Sequence, residues 1–267
     1  MKKLLAVLVI GASVLLTGCI GVILEGNAGI GVTNVFSSPA LQGSGTFIER
    51  NYANEGWTEL RLTWGSHSMD MGSIDMFNNI YVEISPYQRD TTFSIDEIHS
   101  NHVRVDQRGH VLEIHFDGTL LNIDRLMTIH VGTDNLTRIE HNLSLGIISN
   151  GTIVSDRLVL DILGIDRMAL DIDVNHLVLD VTGMGTREIR GRALDVYVDK
   201  TGMGQTNLSE LVSENVTIDM TGIGSIEVNA QESLTIRATG IGSIDYRGNP
   251  SVTNINSTGL ISVRNVG

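Results

Sequence analysis

The sequence predicts an all-β fold, a single-stranded β-helix or β-solenoid with rungs of about 18–20 residues and less regular N-terminal coils. Three observations predict it. Within residues 182–228, the phrase T-G-(I/M)-G occurs three times, beginning at Thr182, Thr201 and Thr221. Glycines recur at a nearly constant step through the second half of the chain. The segments before them, such as "LVLDVT" and "VTIDMT", alternate apolar and polar residues at the period of a β-strand.

The first segment of the chain, residues 1–18, reads as a secretory signal. Lys2 and Lys3 precede an apolar run that is shorter than the roughly 20 residues needed to span a bilayer. The run ends in "LTGC", which resembles a bacterial lipobox and implies cleavage before Cys19 and acylation of that residue. Ile20 follows, which by the usual sorting pattern favours the outer membrane. The alternative is an ordinary signal peptide followed by a chance cysteine.

The predicted mature chain consists of a tether and one large domain. Residues 19–41 form the lipid anchor and tether, and residues 42–267 form the β-solenoid domain. Without Lys2 and Lys3, Lys+Arg falls from 18 to 16 while Asp+Glu stays at 31, so the net charge is −15. Such a charge repels nucleic acid, which we exclude as a partner. The expected partners are the membrane, through the anchor, and an unknown protein or glycan.

The sequence of the first half of the domain predicts coils that are less regular than the later rungs. "IYVEISP", "VRVDQRGHVLEIHF" and "RLMTIHVG" read as strands, with a hairpin at residues 107–109.

The second half predicts regular rungs with two inward columns. The recurring glycines are Gly146, Gly164, Gly183, Gly202, Gly222, Gly240 and Gly259. Counting back from them gives a first inward column of Leu160, Leu179, Val198, Ile218, Ile236 and Ile255. Counting forward gives a second of Ile165, Met184, Met203, Ile223, Ile241 and Leu260. Stacked rungs share one core, because no rung can bury its apolar face alone.

The outward positions predict a threonine column and, two residues earlier, a column of carboxylates. The carboxylates are Asp161, Asp180, Asp199 and Asp219. The simplest interpretation is a solvated acidic stripe, eased by Arg237 and Lys200. A more specific interpretation is a Ca²⁺ ladder, in which the stacked aspartates bind calcium ions, since carboxylate oxygens are preferred ligands of hard cations. A binding face for a flat partner is the third. No cofactor is expected.

Catalytic and other metal sites have weaker signals. Asp161, Asp166, Asp171 and Asp173 lie close in sequence, and a suitably spaced pair of carboxylates could hydrolyse a glycoside. Alternating aspartates on a solenoid are more often a solvated surface. His110 and His115 lie five residues apart, so they face opposite sides of a strand. The chain contains no G-x-S-x-G nucleophile motif.

Several segments resemble the auto-transporter adhesin "head GIN" domain family, also called DUF2807. They are "GSGTFIER", "VDQRGHVLEIHF" and "GIGSIDYRGNP", and the resemblance spans roughly residues 42–262. It implies a β-helical fold, often on a lipid anchor, and supplies no catalytic residues. The chain departs from the family at Leu145-Gly146 and Leu163-Gly164, where the family prefers Ser/Thr-Gly.

Together these observations favour a lipid-anchored, non-catalytic, adhesin-like binding or scaffolding module of the cell envelope. One alternative is a periplasmic component of an envelope-stress response. The least supported alternative is a polysaccharide-active β-helix enzyme.

Overall fold

The computed structural model describes residues 22–23, 31–32, 46–53, 55–64, 80–116, 127–142 and 144–267. These residues form β-strands and one 3-10 helix, Glu97–His102, so the predicted all-β class is confirmed. The predicted signal segment and Cys19 lie outside the described residues. The strands are β1 (Val22–Ile23), β2 (Gly31–Val32), β3 (Phe47–Tyr52), β4 (Glu59–Trp64), β5 (Ile80–Ser85), β6 (Thr91–Asp96), β7 (Val103–Arg108), β8 (Val111–Phe116), β9 (Met127–Gly132), β10 (Arg138–His141), β11 (Ser144–Arg247) and β12 (Val252–Asn265).

The regular rungs form one continuous strand, β11, of 104 residues. Its last rung pairs in parallel with β12, which places Ile236 beside Ile255 and Gly240 beside Gly259. The side-chain hydrogen bonds Arg192–Asp173, Asn215–Asp195 and Arg237–Asp219 join neighbouring rungs at separations of 19, 20 and 18 residues. The rung length and the stacking predicted from the sequence are therefore confirmed.

The first coils do not stack in the order of the sequence. Strand β4 lies between β8 and β10, and β5 lies between β9 and β11. The coil formed by β4 and β5 is therefore enclosed by the coil of β8 and β9 on one side, and by β10 and the start of β11 on the other. The predicted hairpin is confirmed, because β7 pairs antiparallel with β8 and the turn contains Gly109 at a φ of 62°.

Gly146 does not belong to the glycine column. Strand β10 pairs with β11 so that Arg138 lies beside Val159. Continued along both strands, this offset of 21 residues does not bring Gly146 beside Gly164. Gly146 instead pairs with Tyr81 of β5, where an added Cβ would lie 2.4 Å from the tyrosine ring.

The first predicted inward column is confirmed in all rungs except the last. Leu160, Leu179, Val198, Ile218 and Ile236 are buried. Ile255 is 44% exposed because, among the described residues, nothing stacks above β12. The half of the rung that follows the glycines also contributes to the core. Ile226 and Ile244 lie there in successive rungs and are fully buried.

The second predicted inward column is wrong, because these side chains point outward. Met184, Met203, Ile223 and Ile241 are 40 to 51% exposed. The alternation continues unbroken through each T-G-x-G phrase, so the glycines themselves take the inward positions. They fit there because the rungs touch: a Cβ added to Gly222 would lie 2.0 Å from the carbonyl oxygen of Gly202. Ile165 and Leu260 share this outward column, and Leu260 is 74% exposed.

Candidate functional site

Three outward columns run side by side along the regular rungs and together form what we call the ladder face. Its columns are the aspartates Asp161, Asp180, Asp199 and Asp219, the threonines Thr182, Thr201, Thr221 and Thr239, and the apolar residues Met184, Met203, Ile223 and Ile241. Residues two apart on a strand share a face, and neighbouring rungs are about 4.8 Å apart. The ladder face is therefore a flat lattice of repeated side chains.

The apolar column is the unusual part of the ladder face. Scattered exposed apolar residues are normal on a protein, but a contiguous row is typical of an interaction surface. Met203 is 47% exposed and Ile223 is 50% exposed, and the exposed threonine column runs beside them. The sequence alone does not reveal this column, because each glycine there is equally compatible with a corner that reverses the alternation.

The aspartate column is neutralised at both of its ends. An arginine from β10, Arg138, contacts Asp161 at 2.5 Å. At the other end, Arg237 donates two hydrogen bonds to Asp219, at 2.5 and 2.7 Å. The Tyr197 hydroxyl donates a third to the same carboxylate at 3.0 Å. The bonds from Arg237 and Tyr197 hold the pKa of Asp219 below its ordinary value.

The middle of the column keeps its carboxylates close together. Burial raises the pKa of Asp180, and the charges of Asp161 and Asp199 raise it further, against the opposing charge of Arg138. This is the repulsion that the sequence predicts for stacked like charges.

The Ca²⁺ ladder stays a prediction. Throughout the part of the chain that the structure describes, no group of three or more His, Cys, Asp or Glu residues is arranged to hold a metal ion. The predicted cation Arg237 does ease the stripe. The other one, Lys200, does not, because its side chain points into the core and is only 1% exposed.

The four aspartates considered for catalysis are each engaged by an arginine and do not share one cleft. Asp161 lies on the ladder face, whereas Asp166 is buried. Asp171 and Asp173 lie on another outward surface, where Arg190 and Arg192 contact them at 3.2 and 3.1 Å. Asp171 and Asp173 therefore share a surface, but each carboxylate is held by its own arginine, and Asp161 and Asp166 lie elsewhere.

The two histidines of the predicted hairpin also have separate partners. His110 contacts the Glu59 carboxylate at 3.3 Å. The Nδ1 atom of His115 lies 2.9 Å from the Thr63 hydroxyl on the neighbouring strand.

Charged side chains inside the core are a second feature that the sequence analysis missed. The Asp166 carboxylate and the Arg187 guanidinium are fully buried and form an ion pair. Burial raises the pKa of Asp166 to about 6, although the contact with Arg187 opposes this effect. Burial, with the charge of Arg187, lowers the pKa of His141 to about 3. The signal available in the sequence was polar residues at inward positions of the two-residue alternation.

The geometry defines a class of protein: a β-solenoid that presents a flat, repetitive face. The sequence profile of the family described as "Putative auto-transporter adhesin, head GIN domain" matches residues 77–250, and the chain belongs to this family. No curated protein matches the chain.

Solved structures share the fold. A crystal structure described as a putative adhesin from Bacteroides fragilis has a TM-score of 0.73 at 20% identity, covering 85% of this chain and 100% of that one. Another putative adhesin, from Parabacteroides merdae, has a TM-score of 0.56 at 15% identity, with 85% and 99% covered. A putative lipid binding protein from Parabacteroides distasonis has 0.56 at 16% identity, with 84% and 99% covered. Among the residues that the structure describes, none forms a helix long and apolar enough to cross a membrane.

Proposed function

We propose that this protein is a non-catalytic, adhesin-like binding module, held at the cell envelope by a lipid on Cys19, and that the ladder face binds its partner. The family to which the chain belongs supports an adhesin-like role. The "LTGC" segment supports the anchor, because it resembles a lipobox with an acylated cysteine. Two or more acyl chains hold a protein stably at a membrane.

The observation that carries the proposal is the exposed apolar column beside the threonines. A flat row of half-buried methionine and isoleucine side chains offers apolar area, and the threonine hydroxyls can donate and accept hydrogen bonds. Repetition at about 4.8 Å suits an extended or repetitive partner, such as a matrix protein or a glycan chain. Many weak contacts in register then act together.

The ladder face is tested by charge substitution with a matched control. Met203→Glu and Ile223→Glu place acidic groups within the apolar column. Val212→Glu makes the same change at an exposed residue about half a rung away, where Val212 is 47% exposed. Cells carrying each variant are compared for attachment to surfaces coated with matrix proteins and glycans. We expect attachment to fall about tenfold or more with the two ladder variants and to stay near wild type with Val212→Glu. Equal attachment by all three variants contradicts the assignment.

The anchor is tested separately. Cells fed radiolabelled palmitate should label the wild-type protein but not a Cys19→Ser variant. Protease added to intact cells should degrade the wild-type protein. If the protein is protected until the outer membrane is opened, the adhesin role is wrong and the periplasmic alternative replaces it.

A further inference from the structure

Four polar side chains form a cluster inside the solenoid core, which we call the buried polar cluster. Its members are Asp166, Arg187, Lys200 and Thr206, and each is at most 3% exposed. They surround the corner where the inward positions are taken by glycines. In the column of Arg187 and Thr206, the later rungs carry the buried apolar residues Ile226 and Ile244.

The glycine contacts fix where these residues lie relative to one another. An added Cβ on Gly204 would lie 2.0 Å from the carbonyl oxygen of Gly185, so these two glycines are neighbours on adjacent rungs. Arg187 and Thr206 each follow two residues later, and their side chains therefore lie in the same inward column one rung apart. Lys200 reaches the same corner, where its Nζ donates to the Gly204 carbonyl oxygen at 2.6 Å.

The charges of the cluster do not balance. Asp166 and Arg187 neutralise each other as an ion pair. Lys200 adds a second positive charge, and Asp166 is the only acidic side chain among the buried residues that the structure describes. Burial, with the charge of Arg187, lowers the pKa of Lys200 to about 8, so the ammonium remains largely protonated at neutral pH. An unbalanced charge inside a core is strongly unfavourable.

The cluster also has donors without acceptors. Arg187 Nε, Arg187 Nη1 and Thr206 Oγ1 are buried and have no hydrogen-bond partner, and neither does Asp166 Oδ2. The donors outnumber the acceptors among these atoms, because only Asp166 Oδ2 and Thr206 Oγ1 can accept a hydrogen bond. At least one donor of the cluster therefore lacks an acceptor, and buried donors are rarely left without one.

We propose that the core holds one small monovalent anion of the halide class, in contact with Arg187 and Thr206 and balancing the charge of Lys200. A halide accepts hydrogen bonds from all sides and has no donor of its own, which suits a site lined by donors. Water could accept the same hydrogen bonds, but it would leave the positive charge unbalanced. The Asp166 carboxylate cannot balance the charge of Lys200, because the contact with Arg187 already neutralises it.

The test is the effect of anions on thermal unfolding. The full chain in a nonionic detergent is melted at pH 6.5 in sodium chloride, bromide, sulfate or gluconate at equal ionic strength. We expect Tm to rise and then saturate at low concentrations of chloride or bromide. Gluconate should change Tm little, and sulfate should raise it only gradually and without saturation, because sulfate is excluded from protein surfaces. Crystals grown in bromide should show an anomalous scattering peak beside Arg187.

Two variants separate the core site from general salt effects. Lys200→Met keeps the length of the side chain and removes the unbalanced charge, so the halide-dependent rise in Tm should disappear. Arg237→Met removes the same charge from an exposed side chain of the ladder face and should keep that rise. The proposal is wrong if the four salts act alike, if Lys200→Met keeps the halide effect, or if bromide gives no peak and only water occupies the cluster.

Discussion

The contact between the rungs at the glycine column can be tested with one added methyl group. In Gly222→Ala the new Cβ would lie 2.0 Å from the carbonyl oxygen of Gly202, where no real Cβ can lie. The backbone there has a φ of 137°, a conformation that is almost confined to glycine. The backbone strain costs about 1–3 kcal/mol, and moving the neighbouring rung adds about 1–3 kcal/mol.

Gly109→Ala is the matched control for this variant. Gly109 also has a positive φ, 62°, but an added Cβ there meets nothing within 4 Å. Only the left-handed conformation is penalised, by about 1–2 kcal/mol. The difference between the two variants therefore contains the contact between rungs together with the greater backbone strain at a φ of 137°.

Denaturant unfolding followed by circular dichroism measures both variants. We expect the free energy of unfolding to fall by roughly 2–6 kcal/mol for Gly222→Ala and by about 1–2 kcal/mol for Gly109→Ala. If Gly222→Ala is no more destabilising than Gly109→Ala, the rungs do not touch at this column, and the explanation for the inward glycines is wrong.

Three further predictions concern side-chain direction, pH and calcium. Ile226→Asp places a charge at a buried position and should lower the free energy of unfolding by several kcal/mol. Ile223→Asp, at a half-exposed position, should lower it by less than about 1 kcal/mol. Similar shifts in Tm for the two variants would show that Ile223 does not point outward. The pKa of His141 is lowered to about 3, so the unfolded chain binds a proton first as pH falls. Stability should therefore decrease between about pH 6.5 and 3, and His141→Gln should lose that part of the decrease. If the predicted Ca²⁺ ladder exists, millimolar Ca²⁺ should raise Tm in the wild type but not in Asp180→Asn/Asp199→Asn.

The regular half of the fold is predictable from the sequence because each strand repeats a two-residue alternation that the glycines mark. The column through Ile218 follows from that pattern alone. The direction of Ile223 does not, because the pattern cannot show whether Gly222 turns the chain or continues the strand. That choice depends on how closely the next rung packs, which is a tertiary contact.

The buried charges and the stacking order of the first coils also cannot be predicted from the sequence, because both depend on tertiary contacts. Lys200 sits at an inward position of the alternation, but a lysine there reads as surface unless its neighbours across the rungs are known. The pairing of β10 with β4 joins segments that lie far apart in the chain, and no local pattern specifies it. The aspartate column, in contrast, follows from sequence spacing, and so does its neutralisation by Arg237.

The two ends of the solenoid differ in how freely the protein could change its length. The coil of β4 and β5 is enclosed by later parts of the chain, so an extra coil inserted there would disrupt several pairings at once. The rungs within β11 contact only the rungs beside them, so a duplicated rung could join the stack and extend it by about 4.8 Å. Each duplication would also add one more threonine and one more apolar residue to the ladder face. Proteins that evolve from this one could therefore differ in the length of the solenoid and in the number of ladder-face residues that contact a partner, while both ends of the solenoid stay unchanged.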